Sequence, residues 1–316
     1  MGITAIRGFN DILPGESGLI RHIEDEAFRV FSTYGFSEVR LPIVEKTELF
    51  SRSIGETTDI VEKEMYTFPD RHGESLTLRP EGTASVVRAY IEHKLYANPV
   101  TKLFYSGPMF RYERPQKGRY RQFYQIGAEA LGDESPRADA ETIEMLMNLF
   151  TRLGVKGAHL QINSLGCGSC RPHYKQKLRA FLSGMADRLC GNCRKRIDEN
   201  PLRALDCKNP LCVSATEDAP PIAGALCGVC KSHFEKVRAG LDGLGVHAAV
   251  NHRMVRGLDY YTKTAFEISA GVGLGAQNAV AAGGRYDGLV KDLGGPETPC
   301  FGFAIGVERT ALLLKE

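Results

Sequence analysis

The sequence predicts an α+β protein in which one mixed sheet, with helices packed against it, is interrupted by a cysteine-rich and mainly helical insertion. Alternating apolar residues, which are typical of half-buried strands, occur before residue 165 and again after residue 240. Between these points the pattern changes to cysteine pairs and helical fragments, and eight of the nine cysteines lie there. We therefore expect residues 1–164 and 241–316 to close into one domain, with residues 165–240 inserted into it.

The bulk composition is that of an ordinary globular protein. Of the 316 residues 43% are hydrophobic and 25% are charged, and 40 basic against 38 acidic side chains give a formal charge of +2. This balance argues against a dedicated polycationic binder of nucleic acid, although it allows a local basic face. The sequence has no run of about 18 apolar residues and no basic start followed by an apolar core, so we expect a cytoplasmic protein with no membrane partner.

The start of the chain predicts one long helix followed by a short strand. Residues 16–34 carry apolar side chains at helical spacing, and Gly35 ends the pattern. Residues 36–42 form a strand-like run that ends at Pro42. Because proline lacks the N–H group that a central strand donates, this strand belongs at a sheet edge or an interface.

The next part predicts a helix, a hairpin and a second helix. Residues 82–95 favour a helix, and residues 102–110 and 122–131 favour two strands joined by a strongly cationic loop. A further helix begins at Ser135, whose hydroxyl can cap it ahead of a proline, and ends at Gly154. Other strand-like runs lie at residues 159–163, 246–250 and 263–268.

Residues 256–262 are the most informative segment and read Arg-Gly-Leu-Asp-Tyr-Tyr-Thr. A cation, a carboxylate and two phenols stand beside a glycine, directly before a strand that would hold them rigidly. This mixture indicates a binding or catalytic site. The plain alternative is a surface turn whose two tyrosines pack on the core.

Residues 110–121 carry five basic side chains on the loop between the two predicted hairpin strands. Clustered guanidinium groups are costly unless an anion lies between them, and the planar fork of arginine suits phosphate oxygens. Arg111 and Glu113 share strand parity, as do Gln125 and Glu129 on the return strand, so each pair can face whatever the loop covers. The alternative is a solvated loop in which Arg111 pairs with Glu113.

Three weaker signals accompany this loop. Glu81 and Thr83 place a carboxylate and a hydroxyl on a turn into a helix, where they suit a substrate ammonium group or simply cap the helix. Gly283 and Gly284 would allow a ligand to approach the backbone closely. Arg309 stands in the first turn of a predicted helix, where the helix dipole does not favour a cation, so we expect it to face an anionic ligand.

Together these segments resemble the catalytic domain of class II aminoacyl-tRNA synthetases. The first signature of that class is similar to the strand ending at Pro42, the second to Phe-Arg-Tyr-Glu at residues 110–113, and the third to residues 302–309. Within the class, residues 256–261 and 282–286 resemble the signatures of the histidyl-tRNA synthetase family. The resemblance implies a mixed, mainly antiparallel sheet flanked by helices.

The resemblance also implies roles for individual side chains. Glu81, Thr83 and Gln125 would hold the amino group of histidine. Glu129 and Tyr261 would satisfy the two ring nitrogens of its imidazole, which an apolar pocket cannot do. The other implied residues are Tyr260, Tyr286 and Arg256 for histidine binding, Arg111, Glu113, Arg119 and Arg309 for ATP binding, and Arg256, Arg111 and Arg309 for catalysis.

The implied reaction has two steps. Histidine and ATP give histidyl-adenylate and pyrophosphate, with Arg256 bridging the amino-acid carboxylate and the α-phosphate, and with Mg²⁺ on the β- and γ-phosphates. Histidine then passes to the 3′-terminal adenosine of tRNA(His). The implied partners are histidine, ATP, tRNA(His) and a second copy of the chain, and we expect this homodimer to form through the strand near Pro42.

Two other functions compete with this one. A non-catalytic regulatory subunit of ATP phosphoribosyltransferase would share the fold and bind histidine without activating it, but the joint presence of Glu81, Arg111, Arg256, Tyr261 and Arg309 disfavours that function. A zinc-dependent RNA-binding module would leave the arginines outside the cysteine region unexplained. The chain ends where members of the family continue into an anticodon-binding domain, so we expect adenylation to survive and tRNA charging to be weakened.

The cysteines predict zinc. The pairs Cys167/Cys170 and Cys190/Cys193 are separated by nineteen residues, a spacing expected of a four-cysteine zinc site. A second site would use the other four cysteines of the module, which are Cys207, Cys212, Cys227 and Cys230. The resemblance does not supply this metal, so the prediction rests on spacing alone, and free buried thiols or disulfides are the alternatives.

Overall fold

The computed structural model describes residues 2–55, 58–270 and 278–315. Its strands are β1 Ser37–Glu38, β2 Val44–Lys46, β3 Tyr66–Pro69, β4 Ser75–Leu78, β5 Thr101–Phe110, β6 Gln122–Leu131, β7 Ala158–Ser164, β8 Ala248–Val250, β9 Thr262–Ala270, β10 Ala279–Arg285 and β11 Cys300–Gly306. Its α-helices are α1 Glu16–Thr33, α2 Thr47–Ile54, α3 Thr83–Glu92, α4 Pro136–Leu153, α5 Arg171–Gly184, α6 Gly191–Glu199, α7 Pro210–Ala215, α8 Gly228–Gly243, α9 Leu289–Asp292 and α10 Val307–Leu314.

The main sheet has the strand order β1-β5-β6-β11-β10-β9-β7-β8, and β2, β4 and β3 form a smaller sheet. β1 and β8 run parallel to their neighbours, and the other neighbouring strands are antiparallel. The predicted mixed, mainly antiparallel sheet is therefore confirmed. In the part of the chain that the structure describes, no helix is long and apolar enough to span a bilayer.

The strand predicted over residues 36–42 is shorter than expected. Only Ser37–Glu38 pair with β5, at the edge of the sheet. Beyond them, the carbonyls of Leu41 and Pro42 accept hydrogen bonds from Arg79 Nη1 at 3.0 and 3.4 Å. Because a side chain satisfies these carbonyls, the chain can leave the sheet there without losing hydrogen bonds.

Alternate side chains of each strand point to opposite faces of the sheet, and each face packs against a different hydrophobic core. On β6, Ile126 and Ala128 pack among residues of α1, α4 and α10 in the largest hydrophobic cluster. Leu131 points to the opposite face and packs with residues of α3 and α9. Gln125 and Glu129 have the parity of Leu131, so they lie on this second face, which is where a cavity opens.

The insertion has a core of its own, formed by buried residues of α5, α6 and α7 and the turns between them. Helix α8 crosses the predicted limit at residue 240 and buries Val237 and Leu241 in the main core. On the same helix, His233 Nε2 lies 2.8 Å from Asp139 Oδ2 of α4. The division at residues 165 and 240 stays a prediction, and its outer limits, residues 1 and 316, lie outside the described residues.

Candidate active site and cysteine clusters

A cavity of about 280 Å³ opens on the sheet face that carries Gln125. Its walls come from the turn before α3, the β5–β6 hairpin, segment 256–262, β10 and the junction of β11 with α10. The predicted site residues that line it are Glu81, Thr83, Arg111, Glu113, Arg119, Gln125, Arg256, Tyr260, Tyr261 and Arg309. Glu129 and Tyr286 are buried behind this lining, and Glu129 contacts Thr83.

Glu81 and Thr83 form the turn into α3. The Glu81 carboxylate accepts hydrogen bonds from the backbone N–H groups of Thr83 at 2.7 Å and Ala84 at 2.9 Å. The capping role that the sequence left open is therefore present. Burial raises the pKa of Glu81. The carboxylate also lines the cavity, so helix capping and a place in the cavity wall belong to the same residue.

Glu129 is the most enclosed carboxyl group near the cavity. It accepts hydrogen bonds from Thr83 Oγ1 at 2.7 Å and from Tyr286 Oη at 2.5 Å. Burial raises the pKa of Glu129 to about 8, because a carboxylate loses its hydration there. Gly302 on β11 lies opposite Glu129, and a Cβ atom at that position would overlap Glu129 Oε2. Glycine therefore leaves the space that the carboxylate fills.

Three tyrosines lie together beside Glu129. The rings of Tyr260 and Tyr261 have centroids 4.7 Å apart, and the ring of Tyr260 lies 5.7 Å from that of Tyr286. Burial raises the pKa of Tyr261 to about 12, so its hydroxyl remains a hydrogen-bond donor across the physiological range. Two of these phenols line the cavity, so segment 256–262 contributes to its wall.

Gln125 contributes an unused acceptor. Its Oε1 atom is buried and has no hydrogen-bond partner among the residues that the structure describes. The side chain lines the cavity on the same face as Glu81 and Thr83. Because a buried acceptor without a partner costs free energy, this position is suited to a ligand that brings N–H donors.

Four arginines, Arg111, Arg119, Arg256 and Arg309, also line the cavity and make part of its wall cationic. Burial lowers the pKa of three of these guanidinium groups, and the positive charge of Arg309 lowers that of Arg119 further. Arg111 Nε donates to Pro80 O at 2.8 Å, and Arg309 Nε donates to Gly118 O at 3.1 Å. These hydrogen bonds hold the two guanidinium groups beside a space that is suited to an anion.

Two carboxylates partly balance these cations. Glu113 Oε1 lies 3.9 Å from Arg111 Nη1, and Glu113 forms a closer ion pair with Arg119. The pairing of Arg111 with Glu113, which the sequence offered as an alternative, is therefore only a long contact. Arg256 Nη1 donates to Glu267 Oε2 at 2.6 Å.

Phe123 and Glu308 are among the cavity-wall residues to which the sequence analysis gave no role. Phe123 lies under the guanidinium group of Arg111, 5.3 Å from its carbon to the ring centroid. Strand parity with Gln125 was a signal that could have found it. Glu308 accepts the backbone N–H of Tyr124 at 2.8 and 3.1 Å, and burial raises the pKa of Glu308 to about 7.

The sequence profile described as histidyl-tRNA synthetase matches residues 8–167 and 217–310, well over half of the chain. The chain belongs to the histidyl-tRNA synthetase family. Relatives in this family include the histidine–tRNA ligases of Geobacter metallireducens, 61% identical, and Geobacter sulfurreducens, 62% identical, each over 313 residues. Both alignments cover 99% of this chain and 76% of the relative.

Solved structures of the family agree with the fold. Apo S. aureus histidyl-tRNA synthetase is 40% identical with a TM-score of 0.80, over 100% of this chain and 74% of that one. A Bacillus halodurans protein described as an ATP phosphoribosyltransferase regulatory subunit/histidyl-tRNA synthetase is 20% identical with a TM-score of 0.74, over 99% of this chain and 84% of that one. At 20% identity this second likeness shows the fold alone. The family predicted from the signatures is therefore confirmed.

The histidyl-tRNA synthetase profile leaves residues 168–216 unmatched, and cysteine clusters lie in and beside this region. We define the junction cluster as Cys167, Cys170, Cys227 and Cys230, and the distal cluster as Cys190, Cys193, Cys207 and Cys212. Within each cluster the four sulfur atoms lie within 4.8 Å of one another. Each cluster can therefore hold a metal ion.

The predicted grouping of these cysteines is wrong. Spacing placed Cys167/Cys170 with Cys190/Cys193, whereas Cys167 Sγ lies 3.9 Å from Cys227 Sγ and Cys170 Sγ lies 3.8 Å from Cys230 Sγ. The physical reason is that α8 returns to the main core beside the end of β7, which brings the last cysteine pair to the first. Long-range packing, and not spacing, decides the partners.

Proposed function

We propose that this chain is a histidine–tRNA ligase, which activates histidine with ATP and transfers it to the 3′-terminal adenosine of tRNA(His). The composition of the cavity wall is the main support for this function. A single cavity is lined both by carboxyl and phenol groups and by four guanidinium groups. Histidyl-adenylate has a matching set of groups, with an ammonium group and an imidazole at one end and a phosphate ester at the other.

Histidine would bind at the end near Glu129. Glu81, Thr83 and Gln125 would accept hydrogen bonds from its ammonium group, and the free Oε1 of Gln125 supports this assignment. Glu129 and Tyr261 would contact the two ring nitrogens, with Tyr260 and Tyr286 packing around them. A site with buried polar groups rejects apolar side chains of similar size, because those would leave the groups without partners.

ATP would bind against the arginines of the cavity wall. Arg111, Arg119 and Arg309 would hold the phosphates and the adenine, and Glu113 would contact the base. Mg²⁺, when bound to the β- and γ-phosphates, supplies further neutralisation of their charge.

The chemistry is an attack of the histidine carboxylate on the α-phosphorus. A new O–P bond forms between the carboxylate oxygen and the α-phosphorus, the bond from the α-phosphorus to the oxygen bridging to the β-phosphate breaks, and pyrophosphate leaves with the electron pair. Arg256 would lie between the carboxylate and the α-phosphate and neutralise the charge that builds up there. Positioning and electrostatic stabilisation therefore account for the catalysis.

The insertion would contact tRNA. Residues 165–240 contain 13 Lys and Arg against 7 Asp and Glu, a net charge of +6. Two zinc ions held by four thiolates each carry −2 apiece, which reduces this charge to about +2. Such a surface favours local contacts with backbone phosphates, which position the tRNA without reading its sequence.

Zinc is the metal that fits both clusters. A tetrahedral ion with Zn–S distances of about 2.3 Å separates its sulfur ligands by about 3.8 Å. The separations in the junction cluster are 3.7, 3.9 and 3.8 Å, and Cys190 and Cys207 of the distal cluster are 4.0 Å apart. Four thiolates with no open position are typical of a structural zinc site.

A homodimer would form around Pro42. Ile43 is 42% exposed and Val44 is 40% exposed, so two adjacent apolar side chains lie at the surface beside the proline. An interface there would remove them from water. The substrates, ATP and tRNA, point to the cytoplasm as the place of action.

Histidine-dependent exchange of labelled pyrophosphate into ATP tests the function directly. We expect exchange with histidine and none with other amino acids, because adenylate formation is reversible. Histidine binding without any exchange would contradict the ligase and favour the regulatory function. Charging of tRNA(His) tests the second step.

A further inference from the structure

Segment 256–262 is fastened at its tyrosine end by the first residue of α5. Arg171 Nη2 donates a short hydrogen bond to the carbonyl oxygen of Tyr261. The same guanidinium group donates through Nε to Leu165 O at 3.2 Å and through Nη2 to Gly166 O at 3.4 Å. Arg171 therefore joins the entry to the insertion directly to the residue whose phenol lines the cavity.

The middle of the same segment is fastened by residues that follow α6. Arg203 Nη2 donates to the carbonyl of Gly257 at 2.5 Å, next to Arg256 in the chain. Asn200 Nδ2 donates to Asp259 Oδ1 at 3.2 Å. The side chain of Arg203 is 12% exposed, and its hydrogen bond to Gly257 lies at the surface, where Gly257 is exposed.

Each fastening point is next to a cysteine cluster. Arg171 directly follows Cys170 of the junction cluster, and its backbone N–H donates to Cys167 O at 2.9 Å. Asn200 and Arg203 lie in the stretch between Cys193 and Cys207 of the distal cluster. A metal ion in each cluster would therefore fix the positions of the donors.

The link also runs through the backbone. Gly166 O accepts the N–H of Lys263 at 2.9 Å, and Lys263 O accepts the N–H of Leu165 at 2.6 Å. The turn that enters the junction cluster thus pairs with the start of β9, directly after segment 256–262. A shift of the insertion would shift that segment with it.

We propose that the insertion is a structural part of the adenylation site, in which Arg171 and Arg203 are positioning residues that hold segment 256–262 in its active conformation. The inference rests on the proposed function of the cavity. Arg171 acts through Tyr261 on histidine binding, whereas Arg203 acts through Gly257 on the neighbouring Arg256. If the insertion served only to bind tRNA, removing its contacts with segment 256–262 would leave adenylate formation unchanged, because that step needs no tRNA.

Pyrophosphate exchange without tRNA separates these cases. We expect Arg171→Gln to raise the KM for histidine about tenfold with a small effect on the KM for ATP, since a hydrogen bond from a charged donor is lost. Arg203→Gln should lower kcat roughly tenfold, and Arg171→Lys should recover part of the histidine affinity. Arg179→Gln is the matched control, because Arg179 donates to Ile197 O and Asp198 O within the insertion.

Metal analysis and histidine titration calorimetry complete the test. All variants should keep the metal content of the unmodified chain, so a loss of activity is not a loss of metal. Normal exchange by Arg171→Gln and Arg203→Gln, with tRNA charging reduced, would overturn the inference. If the unmodified chain shows no exchange, the proposed function fails, and an unchanged histidine Kd in Arg171→Gln would then overturn the inference by itself. If Arg171→Gln does not fold, Arg171→Lys and Arg203→Gln provide the answer.

Discussion

The hydroxyl of Tyr286 donates a hydrogen bond to the carboxyl group of Glu129 across 2.5 Å, which joins the end of β10 to β6 past the intervening strand β11. Thr83 donates to the other oxygen at 2.7 Å. Both oxygens are thus held before any ligand binds. A group that is positioned in advance loses little conformational freedom when a ring N–H reaches it.

The free energy of unfolding should depend on pH through Glu129. Its folded pKa is about 8 against an ordinary value of 4.5, so between these values the folded chain keeps a proton that the unfolded chain releases. The contribution of the Glu129 carboxyl group to the free energy of unfolding is complete below the pKa of the unfolded state. It is lost as the pH rises through the pKa of the folded state. The Glu129→Gln variant lacks this dependence. The free energy of unfolding of the variant minus that of the unmodified chain should therefore rise by about 1.4 kcal/mol per pH unit between roughly pH 5 and 8.

Urea unfolding of both proteins at several pH values measures this difference. Equal slopes would mean that the carboxyl group has an ordinary pKa. Glu308, whose pKa burial raises to about 7, contributes to both proteins alike and cancels in the comparison.

Arg256 and Tyr261 should affect different kinetic constants. Arg256→Ala should lower the rate of adenylate formation by roughly a hundredfold with a small change in histidine affinity, because the lost charge acts mainly in the transition state. Tyr261→Phe should raise the KM for histidine about tenfold, because one ring nitrogen loses its partner. Single-turnover measurements separate binding from chemistry. Tyr96→Phe, at a tyrosine that is 40% exposed outside the cavity lining, is the control. Unchanged kinetics in both variants would return segment 256–262 to being a packed turn.

Local sequence pattern was enough to predict much of the site. It did not predict the contacts between strands that are distant in sequence. The hairpin of β5 and β6 follows from alternation, and the same parity placed Gln125 and Glu129 on one face. That Tyr286 would meet Glu129 depends on β11 entering the sheet between β6 and β10, which no local pattern encodes. The prediction of the cysteine partners was wrong for the same reason, since Cys167 and Cys227 are 60 residues apart and meet through the packing of α8.

The metal stoichiometry should distinguish the two possible groupings of the cysteines. We expect two zinc ions per chain by elemental analysis. In the double variant Cys167→Ser with Cys230→Ser both changes fall in the junction cluster, so one zinc ion should remain. Under the grouping that spacing suggested, the same two changes would damage both sites and leave none. Cys300→Ser is the matched control, because Cys300 is buried outside both clusters and should keep two ions.

Gly302 should be intolerant of even a methyl group. A Cβ atom there would overlap Glu129 Oε2, so Gly302→Ala must displace the carboxyl group or separate β11 from β6. We expect the free energy of unfolding to fall by roughly 1–3 kcal/mol, as for other overpacked cores. Histidine affinity should fall as well if Glu129 binds the imidazole as proposed, because the carboxyl group would be displaced. Gly243→Ala provides the control, since nothing lies within 4 Å of a Cβ atom at that position of α8 and alanine favours the helix. Loss of stability with unchanged histidine affinity, measured by urea unfolding and titration calorimetry, would show that the position of Glu129 is not what recognises histidine.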